Sequence, residues 1–140
     1  MFIRLTDTVA VAGQLAPADM ASAAAAGYAT IVNNRPDGEV PGQPAGAAIE
    51  AAARAAGLGY AAIPVGLAGI GPGEIAAMAD AVAAATGPLL AFCRSGTRST
   101  HLWALSAAQA GGDIDGIVAA AASGGYDIAP LHPALMRLRG

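Results

Sequence analysis

Two periodicities of apolar residues take turns along the chain, and their order sets out a fold. Residues 8–12 (Thr8, Val9, Ala10, Val11, Ala12) make a short β-like run that stops at Gly13. Pro17 and Asp19 then open a helical segment reaching Ala26, with Gly27 where a C-terminal cap belongs. Residues 28–33 are rich in β-branched side chains and too few for a helix, which predicts a buried strand. That strand runs into a loop over 34–42, dense in Pro, Gly, Asp and Asn. The sequence predicts a second helix over 44–56 closed by Gly57, then a strand over 60–65 and a glycine-rich segment over 66–73. A third helix runs from Pro72 to the Gly87-Pro88 break and sets Ile75, Met78, Ala79 and Val82 on one face. A fourth strand over 89–93 leads into a helix over 97–110. Asp113 caps another helix through Ala122, and residues 133–138 close the chain.

Strand and helix in regular alternation predict one α/β domain over residues 1–140. Its central sheet is mostly parallel, of about four strands, flanked by helices through right-handed crossovers. In open sheets of this kind ligands bind beyond the carboxyl ends of the strands. Residues 33–38, 66–73 and 93–98 all fall at that edge, so the chemistry is expected there.

Composition narrows the picture. Of 140 residues, 55% are hydrophobic and 12% charged, which excludes intrinsic disorder. Alanine accounts for 39 residues and aromatics for only 4%, so core layers approach closely. The net charge is −3, leaving no basic footprint for nucleic acid or an acidic membrane. All seven cations are arginine, which removes Schiff-base lysines and any Walker-type phosphate lysine. The N-terminal residues carry no secretion signal, and no apolar run is long enough to span a bilayer, so a soluble, cytoplasmic protein is expected. A single cysteine excludes an internal disulfide and a multi-cysteine metal site, and His132 has no clustered partners. Neither metal nor cofactor is expected.

The strongest chemical signal is Cys93-Arg94-Ser95-Gly96-Thr97-Arg98-Ser99. It sets a thiol at a strand's end and follows it with a small polar loop opening into a helix. Backbone N–H groups of such a loop converge on one point, where the helix dipole adds positive potential. Gly96 supplies a backbone conformation that a side chain hinders. Arg98 is fork-shaped and always charged, suited to closing over an anion, with Arg94 beside it. The hydroxyls of Ser95, Thr97 and Ser99 are further candidates for binding an oxyanion. These features favour an ionised, exposed, nucleophilic Cys93; the plain alternative is a core cysteine at a strand end.

Several segments together resemble a known family. They are Gly13-Gln14, Ala25-Ala26-Gly27-Tyr28, the run from Ile31 to Glu39, Ile63-Pro64-Val65, Cys93 to Ser99 with Leu102-Trp103-Ala104-Leu105, and Gly125-Tyr126-Asp127. The combination is similar to the bacterial beta-lactamase-hydrolase-like, protein phosphatase-like domain family, across nearly the whole chain. The resemblance implies the fold of dual-specificity tyrosine phosphatases. It also implies relatives described as sulfur transferases, some of them fused to metallo-beta-lactamase-type domains, and hence a persulfide-handling partner of that type.

Two departures weigh on the activity. Tyrosine-phosphatase loops keep five residues between cysteine and arginine, whereas Arg94, Ser95, Gly96 and Thr97 make four here, a spacing that resembles the rhodanese-type cradle. The histidine usual before a phosphatase cysteine is replaced by Phe92. In addition, the segment 66–71, where those enzymes carry a general-acid aspartate, contains no acid. Asp37 or Glu39 on the neighbouring loop is the substitute candidate. The expected activity is therefore sulfur transfer through a Cys93 persulfide, from thiosulfate or a small persulfide to a thiol. The alternatives are phosphatase-type hydrolysis of a phosphate ester through a phosphocysteine, and a non-catalytic anion-binding regulatory module.

Asn33, Asn34, Arg35 and Asp37 sit where a strand leaves the sheet beside the cysteine loop. Turn chemistry accounts for Pro36-Asp37-Gly38. Asn34, Arg35 and Asp37 are expected to brace the loop rather than meet substrate. His101 reads as a partly buried histidine on the helix flank, and Trp103, Leu102 and Leu105 as core.

Overall fold

The computed structural model describes all residues, 1–140. Five strands form one sheet: β1 (Ile3–Arg4), β2 (Val9–Ala12), β3 (Thr30–Asn33), β4 (Gly59–Ala62) and β5 (Leu89–Phe92). Their order across the sheet is β1-β2-β5-β3-β4. The last four are mutually parallel, while β1 pairs antiparallel with β2. The sheet is therefore mixed and has five strands, not the four that periodicity predicts. Two residues carry too little pattern to announce β1. It forms because Leu5 and Thr6 turn the chain back onto Val9, with Leu5 N–H donating to the Val9 carbonyl at 3.0 Å and the Thr6 hydroxyl accepting from Val9 N–H at 3.0 Å.

Helices α1 (Asp19–Ala25) and α2 (Gly46–Ala55) cover one face of the sheet. The other face is covered by α3 (Pro72–Ala84), α4 (Thr97–Gln109), α5 (Ile114–Ser123) and, after a 3-10 turn at Ala129–Leu131, α6 (His132–Arg139). Alternate residues of each strand feed opposite cores, as a period of two requires. Leu89 and Ala91 join Trp103, Leu102 and Met78 on one side, whereas Leu90 and Phe92 join Met20, Ile31 and Ile49 on the other. Phe92 is wholly buried in the α1–α2 layer, so its ring points away from the thiol that follows it. No helix is long and apolar enough to cross a membrane.

What positions the site is the register. Ala12, Phe92 and Asn33 lie side by side, with Ala62 next to Asn33, so the four parallel strands end in line. The ladder continues past them. Asn34 N–H donates to the Phe92 carbonyl at 2.8 Å, and Val65 N–H to the Asn34 carbonyl at 2.9 Å. The extended run predicted through residue 65 is held by these bonds, although Pro64 has no N–H to give.

Candidate active site

Cys93 follows β5 directly, at the centre of this edge. Its N–H donates to the Ala12 carbonyl at 3.3 Å, and its sulfur accepts the Gly96 N–H at 3.1 Å. The sulfur thus lies over the N-terminus of α4, where unpaired amides and the helix dipole favour negative charge. Gly96 has φ of +88°, a left-handed conformation that a side chain strains. A Cβ there would also collide with the Tyr126 hydroxyl. That hydroxyl donates to the Ser95 carbonyl at 2.9 Å, and Gln14 N–H donates to the Arg94 carbonyl at 3.2 Å, so the loop is pinned from both sides. Tyr126 is missed as a functional residue by sequence reasoning, because nothing local links position 126 to position 95.

Burial corrects one expectation. The sequence suggests an exposed thiol, but Cys93 is 0% exposed. Arg94 is exposed, while Arg98 turns across the mouth and is held there. Its Nη1 donates to Glu39 Oε2 at 2.7 Å and to the Val65 carbonyl at 2.8 Å, and its Nη2 donates to Glu39 Oε1 at 2.8 Å. Glu39 also accepts from Arg35 Nε at 2.7 Å, and Arg35 Nη1 donates to Gln14 Oε1 at 3.0 Å. A continuous chain, Gln14–Arg35–Glu39–Arg98, therefore spans the loop. Arg35 is buried in it, with Nη2 left unpaired.

Electrostatics follow from this chain. Hydrogen bonds from Arg98, against some desolvation and with help from Arg35, hold the Glu39 carboxyl down to about 2. The same contact raises the Arg98 guanidinium further, and the nearby Cys93 sulfur adds in the same direction. Glu39 is thus an ionised partner of Arg98 and has no proton to give, which removes it as the substitute acid. Asp37 is removed by position. Its Oδ1 accepts the Gly46 N–H at 2.8 Å at the start of α2, in a separate recess of about 230 Å³ shared with Asn33, Tyr60 and Glu50.

The loop hydroxyls are also employed differently from expectation. Ser95 Oγ and Thr97 Oγ1 bond each other at 3.1 Å. Ser99, expected to face an oxyanion, is wholly buried and donates to Asn34 Oδ1 at 2.7 Å. Asn34 in turn donates to the Ile63 carbonyl at 2.9 Å, so this pair ties the first turn of α4 to the ends of β3 and β4. Next to the cysteine loop a cavity of about 520 Å³ is lined by Glu39, Gly66, Leu67, Arg94 and Arg98. A second, apolar recess of about 410 Å³ adjoins it, with Ile70, Leu105, Leu131, Arg98 and His101 among its walls. His101 is half-buried there and burial lowers its imidazole. Nowhere do three His, Cys, Asp or Glu side chains gather closely enough to hold a metal ion.

The model for the beta-lactamase hydrolase-like protein, phosphatase-like domain, matches residues 2–110, which include both site loops. The chain belongs to this family. A beta-lactamase hydrolase-like protein of Agrobacterium fabrum is 41% identical over 109 residues, 78% of this chain and 25% of that protein. Its namesake in Xylella fastidiosa is 41% identical over 104 residues, 74% and 24%. This phosphatase-like domain therefore spans about a quarter of the curated relatives it matches. Among solved structures, a protein of Neisseria meningitidis described as a candidate phosphatase superposes with a TM-score of 0.83 at 31% identity, over 98% of this chain and 97% of that one. TpbA of Pseudomonas aeruginosa, solved with phosphotyrosine, superposes with a TM-score of 0.66 at 16% identity, over 99% and 87%, which shows the shared fold alone. The fold is that of the tyrosine phosphatases. The family model and the Neisseria structure carry phosphatase descriptions, and none of these matches lends support to the sulfur-transfer expectation.

Proposed function

We propose that this phosphatase-like domain is a cysteine-nucleophile hydrolase acting on a phosphate ester through a Cys93 phosphocysteine. The observation that carries the reading is the sulfur over the N-terminus of α4, accepting the Gly96 amide, with Arg98 held across the mouth at 2.7–2.8 Å from Glu39 and the Val65 carbonyl. Family membership and the phosphatase neighbour of 31% identity support it. In the first step Cys93 Sγ attacks phosphorus, the ester P–O bond breaks and its oxygen departs with the electron pair, while the loop amides and Arg98 stabilise charge on the transferring group. Water then attacks the phosphocysteine, the S–P bond breaks and inorganic phosphate leaves.

Mass analysis of the protein mixed with an aryl phosphate tests this. One phosphoryl group on Cys93, with Cys93→Ser abolishing phosphate release at unchanged circular dichroism, is the expected result. No modification and no release overturns it.

Sulfur transfer is the second reading, favoured by the short loop of four residues between Cys93 and Arg98 and by the acid-free segment 66–71. Sulfite leaves thiosulfate without a proton, so neither feature obstructs a Cys93 persulfide. Thiocyanate formation from thiosulfate and cyanide, lost in Cys93→Ser, would establish it. A metallo-beta-lactamase-type partner gains no support from these matches, which cover this domain only.

A further inference from the structure

We infer that the site selects phosphate esters and anhydrides whose leaving group departs as a stable anion, from acidic phenols or carboxylic acids, and discriminates against phosphates of alkyl alcohols. The inference rests on the phosphatase reading above and follows from how the carboxylates, tyrosine and histidine around the cavity are engaged.

The segment 66–71 contributes only Gly66 and Leu67 to the cavity that Arg94 and Arg98 line beside the cysteine loop. The next carboxylate along it, Glu74, accepts the Gly71 N–H at 2.6 Å and caps α3. Glu39 stands at the cavity, but both of its oxygens are engaged by arginine, so it is present as carboxylate. Asp37 lies in another recess, bonded to Gly46. The Tyr126 hydroxyl directs its hydrogen to the Ser95 carbonyl. His101 lines the adjoining recess rather than the cavity that holds Glu39 and Arg94, and its burial favours the neutral imidazole.

The consequence is asymmetric. When the S–P bond forms and the P–O bond breaks, the electron pair leaves on the departing oxygen with no carboxylic acid beside it, and that oxygen takes its proton from water afterwards. An alkoxide leaves poorly under those terms, whereas a nitrophenolate or carboxylate leaves readily.

The test is a set of substituted phenyl phosphates of similar shape and graded phenol acidity, with acetyl phosphate and a simple alkyl phosphate added. The rate of phosphocysteine formation is expected to fall about 10²–10⁴-fold from the most to the least acidic leaving group, the range a positioned general acid ordinarily supplies. A flat series overturns the inference and leaves the phosphatase reading standing. Failure to phosphorylate Cys93 with any compound overturns the reading itself. Glu39→Gln, His101→Gln and Tyr126→Phe are each expected to keep the same dependence, whatever they do to absolute rate. A variant in which the dependence becomes steeper identifies a proton donor and overturns the inference.

Discussion

Glu39 holds Arg98 by both carboxylate oxygens, at 2.7 and 2.8 Å, although 59 residues separate them. Removing that grip frees the guanidinium fork that stands beside Cys93. Glu39→Gln is expected to raise the rate of Cys93 alkylation by iodoacetamide up to about fivefold, the scale of a part-exposed ion pair worth at most about 1 kcal/mol. An unchanged rate would show that Arg98 keeps its position without the carboxylate.

The same pair makes stability depend on pH with a defined sign. The Glu39 carboxyl lies near 4.5 when unperturbed and at about 2 in the folded protein. Its depressed value contributes stability that is complete above pH 4.5 and disappears as pH falls through about 2. The difference in denaturation midpoint between the wild type and Glu39→Gln should therefore be constant above pH 4.5 and shrink below it. A difference that grows on acidification contradicts the ion pair.

Ser99→Ala should destabilise more than the loss of one hydroxyl suggests. It leaves Asn34 Oδ1 buried without its 2.7 Å donor, a loss of about 1–3 kcal/mol. Urea unfolding measures it. If Ser99 served an oxyanion instead, the substitution would weaken anion binding with little change in stability.

Gly96→Ala meets two obstacles, a φ of +88° and the Tyr126 hydroxyl. Left-handed backbone alone costs about 1–2 kcal/mol for a residue with a side chain. Adding Tyr126→Phe removes the hydroxyl contact, so the double variant should recover only part of the stability lost, as thermal unfolding would show. Full recovery would mean that backbone strain is absent.

Tyr126→Phe alone removes the donor to the Ser95 carbonyl and should cost about 0.5–1.5 kcal/mol. Because that bond pins the cysteine loop, kcat should fall more than this modest loss of stability accounts for. Equal kcat with reduced stability would confine the tyrosine to a packing role.

The order of elements was legible because apolar periodicity is local. The unbroken apolar runs Val9 to Ala12 and Leu89 to Phe92 announce strands buried on both faces. The strand-to-loop-to-helix pattern of residues 89–110 places Cys93 at a sheet edge. Composition and the arginine-bearing loop likewise pointed to anion chemistry at Cys93. Tertiary structure alone decided the partners. Strand β1 exists only through pairing with β2, and Ser99 meets Asn34 rather than a ligand because strand register brings position 34 beside α4. Glu39 became the clamp of Arg98 instead of an acid for the same reason: contacts between distant segments depend on how the strands stack, and a one-dimensional pattern carries no record of that.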